Sequence, residues 1–516
     1  MAKLLILQPN TDSIGRQSIP TALISALLKQ NNHEVELFDT TFMDASYLYD
    51  KESTHEDVNV GLGFFKNFKL QGKNFDFSKK KIDIINEFQK RVDLFKPDFI
   101  SFSHWGSQLH GEGEFYAFFH GIKIIEKANV GNIPVFVGGT APTYSVEETL
   151  KNFPINFVVR GEAENVFLDI ANSIDQKKDL NKIENLSFLY NDKVVNNPLR
   201  PLINPDDLPF ADFDIYDERT LYRPFHGNIY RCLDYELSRG CLYSCTFCIS
   251  PFQRKTYGNP KHFRREKSID KIIREISYLK KKYNLEIIRY QDETFLSMKE
   301  DKLEKLAEEY KSKVKLPFII EATINTVTEN KLKSLKKMGC LSISFGLESG
   351  NENLRKEVIK KPNFTNQQAV ENLKLVKRYG ISFNIFNMIG FPKETLQMIY
   401  DTIEVNYLVK PPYCQVGYFQ PWEGVSLREY SIENNYLSKD SKGLDNSKDN
   451  LLSTPMQNLS VTKERLKHLH DKFQLYVYFN KVFWPLINLT EKNNFLSKAV
   501  YSIFIRILKL RFKFIS

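Results

Sequence analysis

The chain has 516 residues, 42% of them hydrophobic and 26% charged, with 25 Tyr and 40 Phe, which excludes a disordered polymer and allows about two to four folded domains. A formal net charge of +9 favours anionic partners mildly, but the basic residues are scattered and nucleic acid is not indicated. There is no run of about 18 apolar residues and no signal-peptide layout at MAKLLILQPN, so a cytoplasmic protein is expected.

In chain order, LLIL at Leu4–Leu7 reads as a buried strand, Ile19–Gln30 has helical apolar spacing, and HEVELFD returns as a strand. An aromatic, lysine-rich insert follows at about 43–78. A helix to about Leu94 then leads into a strand at Phe99–Ser103, and further strands are expected at IPVFVGG (133–139) and FVV (157–159). Apolar strands alternating with helices imply a parallel sheet covered on both faces, so residues 1–175 read as a doubly wound, Rossmann-like α/β domain. Ligands of such sheets lie at the carboxyl ends of the strands. Residues 176–230, with Pro198, Pro201, Pro205 and Pro209, read as a linker.

From 231 to 430 a second series appears. Strands are predicted at 233–239, 286–291, 317–323, 341–346, 381–388 and 415–420, with five helical segments between them. Six strands and five helices suggest a partial (β/α)6 barrel of TIM type, whose chemistry collects at the carboxyl ends of the strands. Residues 431–516 are polar and then mostly helical. Their tail, KAVYSIFIRILKLRFKFIS, has five basic and no acidic residues, and suits either packing against the barrel or peripheral contact with an anionic membrane.

The segment SRGCLYSCTFCIS spaces Cys241, Cys245 and Cys248 as C-x3-C-x2-C on the loop after the first barrel strand. Three thiolates within eight residues suit a metal site in a reducing compartment better than a disulfide framework. They can ligate three irons of a cubane cluster and leave the fourth open, the mark of a reactive centre. A tetrahedral zinc site would need a fourth ligand, and His262, the nearest in sequence, has no paired ligand beside it. Cys232, Cys340 and Cys414 are isolated and read as ordinary buried thiols.

This spacing, with Phe247 before the last cysteine, resembles the radical S-adenosylmethionine superfamily. The resemblance implies a [4Fe–4S] cluster held by Cys241, Cys245 and Cys248, S-adenosylmethionine chelated at the open iron, and reductive cleavage to a 5′-deoxyadenosyl radical. It also implies an external one-electron reductant of flavodoxin or ferredoxin type. RYQDETF resembles the family's acidic segment and would bring Asp292 and Glu293 to the methionyl ammonium. FGLESG would bring Glu348 and Ser349 to the methionyl group or ribose, and MIGFPKET would set Gly390 beside the adenine. A carboxylate or hydroxyl at a strand end also caps helices, and Asp292 or Ser349 could do only that.

The first 175 residues resemble the cobalamin-binding domain of one branch of this superfamily, through LLILQPN, HEVELFD, ISFSHWGS, VFVGGTAPTYSVEETL and VVRGEAE. On that resemblance Ser103, Gly138 and Gly139, at strand ends, would meet cobalamin or its nucleotide tail. The loop after the first strand, QPNTDSIGRQS, lacks the D-x-H-x-x-G pattern that supplies an axial histidine in many cobalamin proteins, and His104 lies on another loop. The expectation is methylation of an unactivated carbon or a phosphinate on a small-molecule or lipid-like substrate. A ring-forming or rearranging enzyme of the same branch, an enzyme whose first domain has lost cobalamin, and a non-catalytic cluster protein remain the alternatives.

Overall fold

The computed structural model describes residues 1–10, 17–44, 80–104, 114–225, 228–441, 454–491 and 494–513. The aromatic insert around Gly63–Phe77 and most of the loop after the first strand lie outside these.

The first sheet is built on β1 (Lys3–Gln8), β2 (Glu34–Asp39), β3 (Phe99–His104), β4 (Val135–Gly139) and β5 (Phe157–Val159), all parallel in the order β2-β1-β3-β4-β5. Four consecutive residues of β1, Leu4–Leu7, are buried because helices cover both faces. One face packs Phe38, Phe88, Phe102 and Phe118, and the other packs Phe99, Phe136 and Phe167. The covering helices start where their sequences supply caps. The Ser18 hydroxyl accepts from Thr21 N ahead of Ile19–Gln30, and the Asp83 carboxylate accepts from Asn86 N ahead of Ile84–Phe95.

Residues 176–230 do more than link. Leu186–Tyr190 (β6) and Lys193–Asn196 (β7) form a hairpin that extends the first sheet antiparallel to β5. Its two turn residues, Asn191 and Asp192, have φ of 49° and 58°, the left-handed pair that a two-residue hairpin turn requires. The prolines that suggested a linker begin only at Pro198, after the hairpin.

Tyr222–Phe225 (β8) pairs antiparallel with Asn228–Tyr235 (β9), and Ser238–Arg239 (β10) pairs with Arg265–Glu266 (β11) as a separate ribbon. The second sheet then continues through β12 (Ile287–Tyr290), β13 (Phe318–Thr323), β14 (Cys340–Glu348), β15 (Ser382–Ile389) and β16 (Tyr413–Tyr418). Its order is β8-β9-β12-β13-β14-β15-β16, parallel from β9 onward. Helices Ile269–Tyr283, Glu300–Glu309, Glu329–Met338, Asn366–Arg378 and Leu396–Val409 fill the intervals. This is the expected partial barrel, with β/α units in sequence order and helices on the outer face. Along β15, Phe383, Ile385 and Ile389 are fully buried, whereas Ser382, Asn384, Phe386 and Met388 alternate with the buried positions and are half-buried. The first barrel strand ends at Tyr235, earlier than expected, because the chain leaves the sheet to form β10.

Helices Lys463–Tyr478, Trp484–Leu489 and Phe495–Lys513 cover the far edge. Leu466, Phe473, Tyr476 and Phe504 share a core with Ile399 and Cys414. Among the described residues no helix is long and apolar enough to cross a membrane.

Candidate functional site

The cysteine loop runs between β10 and the helix Ser250–Thr256, at the carboxyl end of the second sheet. It is pinned from several sides. Thr246 donates from N to Ile359 O at 2.9 Å and from Oγ1 to Val358 O at 2.6 Å, while Arg254 donates to Leu242 O and to Ser244 Oγ. Cys241 and Cys248 are half-buried and Cys245 is buried, and none is in a disulfide. Burial pushes the Cys241 thiol up to about 11 and Cys248 to about 12, and the charges of neighbouring cysteines add to each shift. The three thiols therefore lie within electrostatic reach of one another, and a cation held among them would offset what burial costs their thiolates. Among the described residues no three His, Cys, Asp or Glu side chains close around a single ion. Three thiols on one loop could instead share a larger group such as a cubane.

The carboxylates at later strand ends separate into two roles. Asp292 is buried, and its carboxylate accepts from Leu237 N at 3.3 Å and from Ser238 N and Oγ. It ties the end of β12 to the root of the cysteine loop. Burial pushes it up to about 6. Glu293 is half-buried, accepts from its own amide, and is pushed up to about 7, chiefly by burial. Its charge is felt at Cys241 and Cys248, so Glu293 lies within electrostatic reach of the thiols.

Glu348 ends β14 at a register shift, with φ of 63°, a left-handed conformation uncommon for a residue with a side chain. Its carboxylate pairs with Lys361 Nζ at 3.0 Å, both side chains buried. A Cβ on Gly346 would meet Glu348 Oε1 at 2.1 Å and Lys361 Nζ at 2.9 Å, so the pair occupies the space that this glycine leaves. The Lys361 ammonium lies 5.9 Å from the centre of the Phe247 ring and its charge reaches Cys241 and Cys245. Lys361 was not legible in the sequence. It sits in a KKP run after an irregular turn, with nothing local to mark it.

Ser349 is fully buried, with its hydroxyl accepting from Asn351 N and set against Thr402 Oγ1. It caps the following turn. Gly390 N donates to Glu394 Oε2 at 2.6 Å, and Glu394 is buried with its carboxyl pushed up to about 8 by burial. The ring of Phe391, next along, stacks on Phe419 at 5.2 Å and meets Phe247 edge-on, giving the site an apolar side.

On the first sheet, Ser103 and Gly138 are register partners at the ends of β3 and β4, and Gly139 follows with φ of 103° and ψ of 179°. None of the three has a side chain longer than a hydroxymethyl; Gly138 is buried and Gly139 and Ser103 are half-buried. The segment after them docks on the barrel. Ser145 Oγ donates to Glu423 Oε2, Gln253 Nε2 donates to Thr140 Oγ1 at 3.2 Å, and Tyr144 meets Phe252 edge-on at 5.7 Å. The strand ends of the first sheet thus adjoin the helix that follows Cys248.

A buried ionic cluster ties the two sheets together. Arg239, two residues before Cys241, pairs with Glu164 at 2.5 Å, Glu236 at 2.7 Å and Glu162 at 3.5 Å, while Arg265 holds Glu162 at 2.7 Å. Burial disfavours the Arg239 charge, yet the three carboxylates hold it well above its usual range. Nothing within GEAE itself marks this pairing, because its arginine partner lies far along the chain.

Residues 235–405 match the model of the radical SAM superfamily. The uncharacterized methyltransferase PH0819 of Pyrococcus horikoshii is 30% identical over 358 residues, 68% of this chain and 73% of that protein. The fold is shared with the cobalamin-dependent radical enzyme OxsB, at TM-score 0.65 and 17% identity over 99% of this chain and 72% of that one. It is also shared with the radical methyltransferase TsrM of Kitasatospora setae, at TM-score 0.61 and 14% identity over 84% and 78%. A second sheet of β/α units with a three-cysteine loop at its carboxyl rim defines the class. The chain belongs to the radical SAM superfamily, enzymes that cleave S-adenosylmethionine at a [4Fe–4S] cluster.

Proposed function

We propose that the chain is a cobalamin-dependent radical methyltransferase that adds a methyl group to an unactivated carbon of a small-molecule or lipid-like substrate. The observation that carries this is the abutment of two rims. The three thiols of one loop, with Glu293 and the Lys361–Glu348 pair in electrostatic reach, lie on one, and the small-residue strand ends of the first sheet adjoin the helix that follows them. Cys241, Cys245 and Cys248 would hold the cluster. Glu293 suits the methionyl ammonium, and Lys361, held by Glu348, suits the methionyl carboxylate. Asp292 and Ser349 act on the loops that carry these groups, and Gly390 opens the adenine side. Ser103, Gly138 and Gly139 would admit the corrin or its tail. When bound, the cluster supplies the electron that cleaves the sulfonium, and cobalamin supplies the methyl group. A flavodoxin- or ferredoxin-type donor, and hence a reducing cytoplasm, accompanies this reading.

The test reconstitutes full-length protein anaerobically with iron, sulfide and hydroxocobalamin, desalts it, and adds dithionite with S-adenosylmethionine alone. Cobalamin retained in proportion to protein, with 5′-deoxyadenosine and S-adenosylhomocysteine both formed, is the expected result. Cobalamin lost on desalting while 5′-deoxyadenosine still forms would point to an emptied first domain. 5′-Deoxyadenosine without S-adenosylhomocysteine would point to the cyclase alternative. Neither product would point to a non-catalytic cluster protein.

A further inference from the structure

Among the described residues, nine of the eighteen large apolar side chains that stand exposed fall between Val482 and Leu510. A soluble monomer scatters such residues, and a concentration of this kind marks a surface made to be covered. The helix Phe495–Lys513 explains it. Every third or fourth residue on one face turns inward, with Phe504 and Leu508 buried and Tyr501 half-buried beneath Lys472. About a third of a turn away, Leu496, Ile503, Ile507 and Leu510 are 71%, 58%, 48% and 56% exposed, and they too repeat at helical spacing. Val482, Phe483 and Leu489 on the preceding short elements are exposed as well, and Phe483 meets the buried Phe504 edge-on at 6.3 Å.

The third face is basic. Lys498, Ser502 and Arg506 are exposed at intervals of four, and the sequence adds Lys509 and Lys513 three and seven residues further on. There is no Asp or Glu from residue 492 onward. The nearest acidic residue before it, Glu491, is turned to Arg465 at 2.6 Å. The packing expected from the sequence therefore uses only one of three faces and leaves an outward apolar stripe beside a basic one.

We propose that the outward face of this helix, with residues 482–489, docks the protein on an anionic lipid bilayer. The apolar stripe enters the acyl boundary while Lys498 and Arg506 meet the headgroup phosphates. A second copy of the chain suits this face less well, because a two-fold contact would set the same basic stripe against itself with no acidic residue to answer it. The proposal does not depend on the reaction at the barrel rim.

The test is sedimentation of full-length protein with phosphatidylcholine vesicles, with and without phosphatidylglycerol. The protein is expected to pellet with the anionic vesicles, to stay in solution with the neutral ones, and to be released by salt. Arg506→Gln is expected to weaken anionic partition about fivefold, and Ile503→Glu with Ile507→Glu to abolish it. Arg506→Gln, at an exposed position, carries the test even where the double variant loses helix. Equal partition on both vesicles, no partition on either, or no effect of Arg506→Gln overturns the proposal. So does a dimer in ultracentrifugation that the double variant dissociates while neither protein binds vesicles, which would assign the face to a second copy.

Discussion

The two rims that meet in this molecule are furnished in opposite ways. The rim of the second sheet carries charged side chains held in low-dielectric surroundings: Asp292, Glu293, Glu348 and Lys361. The rim of the first offers Ser103, Gly138 and Gly139, and its one carboxyl at a strand end among the described residues, Asp39, is pushed up to about 6 by burial. Side chains that present charge suit a small zwitterion, whereas bare backbone suits a broad flat ligand. On the proposed function one rim orients and the other admits, and the variants below separate the two.

The largest effect is expected where the rims are joined. Arg239→Met leaves the buried Glu164 and the half-buried Glu236 without their cation, while Glu162 keeps Arg265. Removing one partner of such a cluster costs about 3–5 kcal/mol. Denaturant unfolding should show it, and an unchanged midpoint would mean that the cluster is solvated and does not bind the sheets.

Asp39 sharpens the comparison through pH. Burial is the main cause of its raised value. Hydrogen bonds from Thr41 N and Oγ1 and the Arg219 charge oppose it, and Asp217 adds to it. The folded protein thus keeps the Asp39 proton to higher pH than the unfolded chain does. Its contribution to stability is full below about pH 4, declines as pH rises to about 6, and is flat above, a loss worth about 3 kcal/mol. Asp39→Asn, which keeps an acceptor for Thr41, should flatten that part of the pH profile. If the slope between these values persists in the variant, Asp39 is not its source.

Lys361→Met tests the charged rim. It removes the cation paired with Glu348, and a hydrogen bond to a charged group is worth about 1.5–3 kcal/mol. The expectation is a KM for S-adenosylmethionine raised on the order of 10- to 100-fold, with the cluster spectrum intact and substantial rescue by Lys361→Arg. Loss of the cluster signal with KM unchanged would instead give Lys361 a role in the cysteine loop alone.

The strand–helix alternation of both domains and the cysteine loop could be read from the sequence, because β/α alternation and C-x3-C-x2-C are local patterns. What escaped depends on distant pairing. Lys361 finds Glu348 across an irregular turn and a register shift in β14. Arg239, on the β10–β11 ribbon, meets Glu164 at the start of the helix that follows β5. Ser349 carried two readings, a ligand contact or a cap, which only its burial against Thr402 and Asn351 distinguishes. The β6–β7 hairpin was hidden because its strands are short and the prolines behind it dominate the composition.

The smallest effect bears on the bare rim. Gly139, with φ of 103°, is in a conformation that a side chain resists, and Gly139→Ala should cost about 1–2 kcal/mol. Gly138 is different. A Cβ there would meet only Val159, at 3.8 Å, so the buried position has room for alanine. If both glycines served only the turn into Thr140–Tyr144, Gly138→Ala would leave cobalamin retention unchanged. If the strand ends are bare because a macrocycle lies against them, Gly138→Ala keeps its unfolding midpoint and its uncoupled 5′-deoxyadenosine formation, yet loses hydroxocobalamin on desalting. A glycine that the fold can replace and a ligand cannot is the clearest mark of a surface that admits, and full retention of cobalamin by Gly138→Ala would remove it.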